Sequence, residues 1–133
     1  MFMADKLQAH GFHHSHIINN ILYIEATGPW NIEYFKVLHN DLALLLKDEK
    51  VSSFGVLLSL KGEAIGVSEA FQMHVDFLKK GTGLQAIAVN MAECETKAVT
   101  IDMCQKAYIN AGIKHDFFDN LNEAKMWLLE HFD

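Results

Sequence analysis

The chain has 133 residues, half of them hydrophobic, with one proline and eight glycines. This length suits one domain with its own core, and the composition excludes a collagen-like repeat, a disordered tail and two domains joined by a flexible linker. The formal net charge of −6 disfavours nucleic-acid binding, because an acidic surface repels phosphate backbones. We expect a single domain over residues 1–133, with a flexible N-terminus over residues 1–14.

The cysteine content and the N-terminal sequence indicate a cellular compartment. Cys94 and Cys104 are too few for a disulfide framework, and the N-terminus lacks the basic-then-apolar order of a signal peptide. The apolar runs are far shorter than the ~20 residues that span a bilayer. We therefore predict a cytoplasmic protein with free thiols and no integral membrane segment.

The first predicted elements are a hairpin and a helix. Residues 16–26 predict two short strands joined at Asn19-Asn20, because asparagine tolerates the left-handed backbone of a tight turn. Pro29 ends the second strand because it cannot donate to a ladder. Asn31 then caps a helix whose apolar residues recur at three- and four-residue steps.

Three later apolar runs predict strands covered by helices on both faces. These runs cover residues 51–60, 84–91 and 117–118. Helices are predicted from near Ser68 to a glycine cap at Gly81, from about Thr96 to Gly112, and from Asn120 onward. The order β-β-α-β-α-β-α-β-α predicts an α/β fold with a mixed, mainly parallel sheet and an antiparallel first strand at its edge.

The third predicted strand leads through a short loop into the next helix with the sequence Val56-Leu57-Leu58-Ser59-Leu60-Lys61-Gly62-Glu63-Ala64-Ile65-Gly66-Val67-Ser68-Glu69-Ala70-Phe71. This segment resembles the signature of the STAS domains and matches its spacing without a gap. In that signature, a hydrophobic strand with an internal Asp leads through a short loop to Asp-Ser-Ser-Gly at a helix start. With the Gly28-Pro29-Trp30-Asn31 turn, the Ala-Ile-Ala-Val strand and the closing Asn-Glu-Ala-Lys-Met-Trp-Leu-Leu helix, residues 15–133 look like the bacterial SpoIIAA-like group, which is similar to anti-sigma-factor antagonists.

The resemblance implies a regulatory module with a phosphoacceptor at Ser68. The chain departs from the signature at Ser59 and Val67, where the family has Asp, and at Ala70, where it has Gly. A second interpretation of Ser68 is a helix N-cap, which needs only a side-chain oxygen facing a backbone N–H.

Ligands of such sheets gather outside the carboxyl ends of the parallel strands. This rule selects residues 27–31, 61–68, 91–96 and 119–120. Within them, the candidate ligand- or partner-binding residues are Trp30, Lys61, Glu63, Ser68 and Glu93. Ser68 and Lys61 could hold an anion at the helix start, although Glu63 and Glu93 add negative charge there. Trp30 is either a contact residue or a lid over one end of the core.

The sequence gives little support for a metal-binding site or for a catalytic nucleophile. The histidines are a cluster of His10, His13, His14 and His16, and the scattered His39, His74, His115 and His131. The cluster lacks the four ligands of a structural zinc site, so adventitious binding by a solvated terminus is the simpler interpretation. Cys94 precedes a helix but has no recognisable base, and Cys104 is expected in the core. We predict no catalytic residue, no metal and no cofactor.

These features predict a non-enzymatic regulatory or protein-interaction module of STAS-like type. It would bind a protein partner through the 61–68 loop, or a small anionic or amphipathic ligand, without nucleic acid. Self-association as a homodimer would cover leftover apolar surface. Two alternatives remain: a carrier that binds a lipid-like molecule between the sheet and the 66–80 helix, in a cavity rimmed by Lys61 and Ser68, and a small enzyme using Cys94 or a loop carboxylate.

Overall fold

The computed structural model describes residues 9–81 and 83–132. Its strands are β1 (Phe12–Ile18), β2 (Ile21–Thr27), β3 (Phe54–Gly62), β4 (Leu84–Cys94) and β5 (His115–Phe118). Its helices are α1 (Ile32–Asp48), α2 (Ser68–Lys80), α3 (Lys97–Ala111) and α4 (Leu121–His131). The α/β class predicted from the alternating apolar runs is confirmed.

The strands form one five-stranded sheet in the order β1-β2-β3-β4-β5. β1 pairs antiparallel with β2, and every later pair is parallel, so the sheet is mixed and mainly parallel. The hairpin turn lies at Asn19 and Asn20 as predicted, with φ of 51° and 62° in the left-handed region. Of the predicted flexible segment 1–14, residues 12–14 belong to β1, and residues 1–8 lie outside the described residues.

Alternate residues of the central strands enter two separate cores. Leu22 and Val56 pack with buried side chains of α1, α2 and α3 on one face of the sheet. Ile21 and Leu57 pack on the other face against α4, where Leu128 is completely buried. Of the helices in the described part of the chain, three therefore cover one face of the sheet and one covers the other.

Side-chain caps and glycines fix several element ends. Asn31 and Asn120 cap α1 and α4 as predicted, since their side-chain oxygens accept from Tyr34 N–H at 2.9 Å and Glu123 N–H at 3.0 Å. Gly112 ends α3 with a left-handed φ of 72°. Gly81 follows α2 as predicted, but its φ of −69° is not that of a left-handed cap.

The predicted capping role of Ser68 is wrong. The residue before α2 is Val67, in extended backbone, and the helix start has no side-chain cap hydrogen bond. Ser68 is already the first helical residue, so its hydroxyl is one position too late to reach the free N–H groups of the first turn.

Within the described residues, no helix is both long and apolar enough to cross a lipid bilayer.

Candidate ligand cavity

The carboxyl edge of the sheet holds an ion-pair cluster around Lys61. The Lys61 ammonium lies 3.3 Å from the Glu25 carboxylate and 3.7 Å from the Glu93 carboxylate. The hydrogen bond to Glu25, and then the charges of Glu25 and Glu93, raise the pKa of Lys61. An added anion would meet these two carboxylates beside the cation, so the arrangement does not favour an anion site at Lys61.

Trp30 and Glu63 are placed very differently at this edge. Trp30 is buried, with only 7% of its surface exposed, and its indole N–H donates to the Thr27 carbonyl at 3.1 Å. Its backbone N–H donates to the Ile65 carbonyl at 2.8 Å, which joins the loop before α1 to the loop before α2. Glu63 is exposed. Of the two interpretations of Trp30, the structure supports the lid over one end of the core.

Ser68 lies away from the Lys61 cluster. It is exposed and lines a cleft of about 290 Å³ between α2 and α3. The cation of that cleft, Lys106, is paired with Asp102 at 3.0 Å. The carboxyl edge therefore brings Lys61 and Glu93 into contact, whereas Ser68 belongs to a separate surface.

The two cysteines are buried and free. The Cys94 thiol donates to the Thr100 hydroxyl at 3.6 Å, and the Thr100 hydroxyl donates to the Ala64 carbonyl at 2.9 Å. Cys104 faces Tyr108, and burial raises the pKa of its thiol to about 12. A nucleophile needs access to substrate and an ionised form, so neither environment favours the enzyme alternative.

Three of the clustered histidines, His13, His14 and His16, are divided between the two faces of β1. His14 and His16 lie on the exposed face of β1, while His13 faces the opposite way and contacts Tyr34 and Asp41. Among residues 9–81 and 83–132, no group of three histidine, cysteine or carboxylate side chains is placed to hold a metal ion.

A cavity of about 320 Å³ lies between the sheet and helices α1, α2 and α3. Close-packed interiors have few voids larger than a water molecule, so this space is large for a chain of this size. Most of its wall is apolar. The lining includes Leu22, Ile24, Val56, Leu58 and Leu60 of the sheet, Trp30, Phe35, Leu38 and Leu42 on or before α1, Phe71, His74, Phe77 and Leu78 of α2, and Cys104, Ala107 and Tyr108 of α3.

The cavity opens at the amino edge of the sheet. Its exposed lining residues, Ser52 and Gly81, lie just before β3 and just after α2, where partly exposed Phe54 and Leu84 begin their strands. At the other end, buried Trp30 closes the cavity. The mouth is therefore at the end of the strands opposite the predicted binding rim, and neither Lys61 nor Ser68 is among the described lining residues.

Most polar side chains of the cavity wall already have partners. The Tyr34 hydroxyl lies 3.0 Å from Nδ1 of His13, and the Tyr108 hydroxyl pairs with the Cys104 thiol. Burial raises the pKa values of Tyr34 and Tyr108 above their usual range, so both phenols stay protonated.

His39 of α1 and His74 of α2 form a hydrogen-bonded pair beside this wall. Their rings are nearly coplanar, at an angle of 11°, and Nε2 of His39 lies 2.9 Å from Nδ1 of His74. His39 also stacks on Phe77 with ring centroids 3.9 Å apart. Burial lowers the pKa of His39 to about 4; burial and then the proximity of His39 lower the pKa of His74 to about 3. Both imidazoles are therefore neutral at physiological pH.

The carrier alternative placed a cavity between the sheet and the 66–80 helix, but with Lys61 and Ser68 at its rim, and the position of the mouth was therefore wrong. Sequence reasoning missed the histidine pair altogether. The only available signal was that the apolar stripes of the helices after β2 and β3 each contain one histidine, four residues after Phe35 and three after Phe71.

The fold and the site define an α/β domain with an apolar internal cavity. Comparison with protein-family models, with curated proteins and with solved structures finds no match for this chain.

Proposed function

We propose that the protein is a non-enzymatic module that binds a small apolar or amphipathic ligand in the cavity between the sheet and helices α1–α3. The observation that carries this proposal is the cavity itself, about 320 Å³ in volume and lined mainly by aliphatic and aromatic side chains. Ligand sites are typically apolar clefts of about 300–1,000 Å³ with a few polar groups.

The volume of the cavity limits the size of the ligand. A volume of about 320 Å³ holds roughly ten non-hydrogen atoms, at the ~30 Å³ that one water molecule occupies in the liquid. A two-ring aromatic molecule or a medium-length alkyl chain has this size. Burying such a molecule removes its apolar surface from water and restores the packing contacts that an empty cavity lacks.

Titration with naphthalene, followed by calorimetry and by the thermal midpoint of unfolding, tests the proposal. Binding should raise the midpoint, because a ligand that binds only the folded state stabilises it. Leu58 lines the cavity, so Leu58→Trp should fill part of it and abolish binding. Leu129→Trp is the matched control, because Leu129 is exposed on α4, which covers the other face of the sheet. No binding by the unmodified protein, or equal binding by Leu58→Trp, contradicts the proposal.

Regulation of the SpoIIAA-like kind is a second candidate function. One observation supports it: Ser68 is exposed at the start of α2 and next to exposed Val67, so a kinase or a partner can reach both. Mass spectrometry of the protein purified from its own host tests this candidate. Phosphate on Ser68 supports it, and an unmodified Ser68 under all growth conditions contradicts it.

A further inference from the structure

The polar groups of the cavity wall show what kind of ligand the cavity fits. The indole N–H of Trp30 donates to a backbone carbonyl, the Tyr34 hydroxyl pairs with His13, and Tyr108 pairs with Cys104. Ser52 is exposed at the mouth. His74, which also lines the cavity, differs from these side chains because one of its two ring nitrogens has no hydrogen-bond partner among the described residues.

The bond to His39 leaves one nitrogen of His74 available. Nδ1 of His74 is held by Nε2 of His39 at 2.9 Å, and Nε2 of His74 has no hydrogen-bond partner among the described residues. No buried side-chain nitrogen or oxygen in that part of the chain lacks a partner, so this Nε2 is accessible. The tautomer of the pair decides whether His74 Nε2 donates or accepts.

The charge of the wall excludes one class of polar ligand group. No lysine or arginine is among the described residues that line the cavity. Burial also keeps His74 unprotonated at neutral pH. An anionic group beside His74 would therefore lose its hydration without gaining a counter-charge, which is strongly unfavourable, whereas a neutral polar group there needs only one hydrogen bond.

We propose that the ligand is a neutral amphiphile whose single hydroxyl or carbonyl group pairs with Nε2 of His74 while its apolar body fills the cavity. This inference rests on the proposed function and deepens it by naming the class of ligand. It differs from the anionic ligand expected at the carboxyl edge in both charge and location.

Three probes with the same ring system test it at neutral pH: naphthalene, 2-naphthol and the 2-naphthoate anion. The ratio of 2-naphthol affinity to naphthalene affinity should fall about fivefold in His74→Phe, since one net hydrogen bond is lost. Naphthalene binding by the same variant reports that the cavity is intact. His39→Phe is the matched control: it breaks the same histidine pair but leaves the His74 imidazole, so the ratio should stay near that of the unmodified protein.

The unmodified protein provides a second measurement that does not depend on a variant folding. The ¹⁵N resonance of His74 Nε2 should shift with 2-naphthol and stay nearly unchanged with naphthalene. An unshifted Nε2 with bound 2-naphthol, an unchanged ratio in His74→Phe, or 2-naphthoate binding as tightly as 2-naphthol overturns this inference while the proposed function stands. Failure of all three probes to bind overturns the proposed function itself.

Discussion

Tyr34 at the start of α1 and His13 in the edge strand β1 share a hydrogen bond of 3.0 Å that links the hairpin to the first helix. The other ring nitrogen of His13, Nε2, lies 3.0 Å from the carboxylate of Asp41, which is also a residue of α1. A carboxylate only accepts, so Nε2–H of His13 donates to Asp41, while Nδ1 pairs with the Tyr34 hydroxyl. The edge strand is thus attached to α1 by side chains as well as to β2 by its backbone.

This link predicts non-additive mutations. His13→Leu should lower the free energy of unfolding by about 1–3 kcal/mol, because it leaves the buried Tyr34 hydroxyl without a partner. Tyr34→Phe should cost less in the His13→Leu background than in the unmodified protein. Urea unfolding of the double-mutant cycle measures the coupling. The control is His14→Leu, on the exposed face of β1, and additive effects of His13→Leu and Tyr34→Phe would contradict the link.

Acid should destabilise the protein through His39 and His74. Their folded-state pKa values, about 4 and about 3, lie below the ordinary 6.5. As the pH falls below 6.5, the unfolded chain takes up these protons first, so stability that is fully present above 6.5 is lost towards pH 4. The urea midpoint measured across this range should fall less steeply in the double variant His39→Leu, His74→Phe.

A matched control for the acid effect is His14→Gln, which removes an exposed imidazole and should leave the pH dependence of the midpoint unchanged. An equally steep fall in the double variant and the unmodified protein would exclude the buried pair as the source of acid sensitivity.

Removing the polar side chain should destabilise the protein at the start of α4 and have little effect on stability at the start of α2. Asn120→Ala should destabilise the protein by about 1 kcal/mol, because it removes the oxygen that accepts from Glu123 N–H. Ser68→Ala should change stability by less than about 0.5 kcal/mol, because Ser68 caps nothing. Chemical denaturation of both variants checks the difference, and a loss at Ser68 equal to that at Asn120 would restore a capping role.

Gly28 lies too close to the loop before α2 to carry a side chain. A Cβ at this position would overlap the backbone carbonyl of Glu63. Gly28→Ala should therefore lower stability by about 1–3 kcal/mol, since the two loops must separate. Gly81→Ala is the control, because its Cβ would meet the Leu78 carbonyl oxygen at an ordinary 3.4 Å. Thermal unfolding of both variants measures the effect, and equal stability would show that the loops separate at no cost.

The fold was predictable where local chemistry decides it. Asn19 and Asn20 tolerate left-handed backbone, so the hairpin turn could be predicted from these two residues. Asn31 and Asn120 each precede an apolar stripe with helical spacing, so the two helix caps could be predicted as well. The start of α2 was not predictable in this way. A capping side chain must belong to the residue just before the helix, and that residue is Val67 and not Ser68.

The site was less predictable because it depends on distances between elements. An apolar stripe indicates which face of a helix is buried, but not whether opposing stripes fill the space between them. His39 and His74 are 35 residues apart, and only the packing of α1 beside α2 joins them. The expectation that ligands gather at the carboxyl edge also directed attention to Lys61, whereas the cavity opens at the amino edge.

Helix α2 begins at Ser68, near the carboxyl edge, and its last turn reaches the mouth at Leu78. Its 13 residues make a rod of about 20 Å, at ~1.5 Å per residue. The same helix therefore borders the cavity with its last turn and presents exposed Ser68 at its first residue. A ligand inside and a partner at Ser68 would contact one rigid element at its two ends.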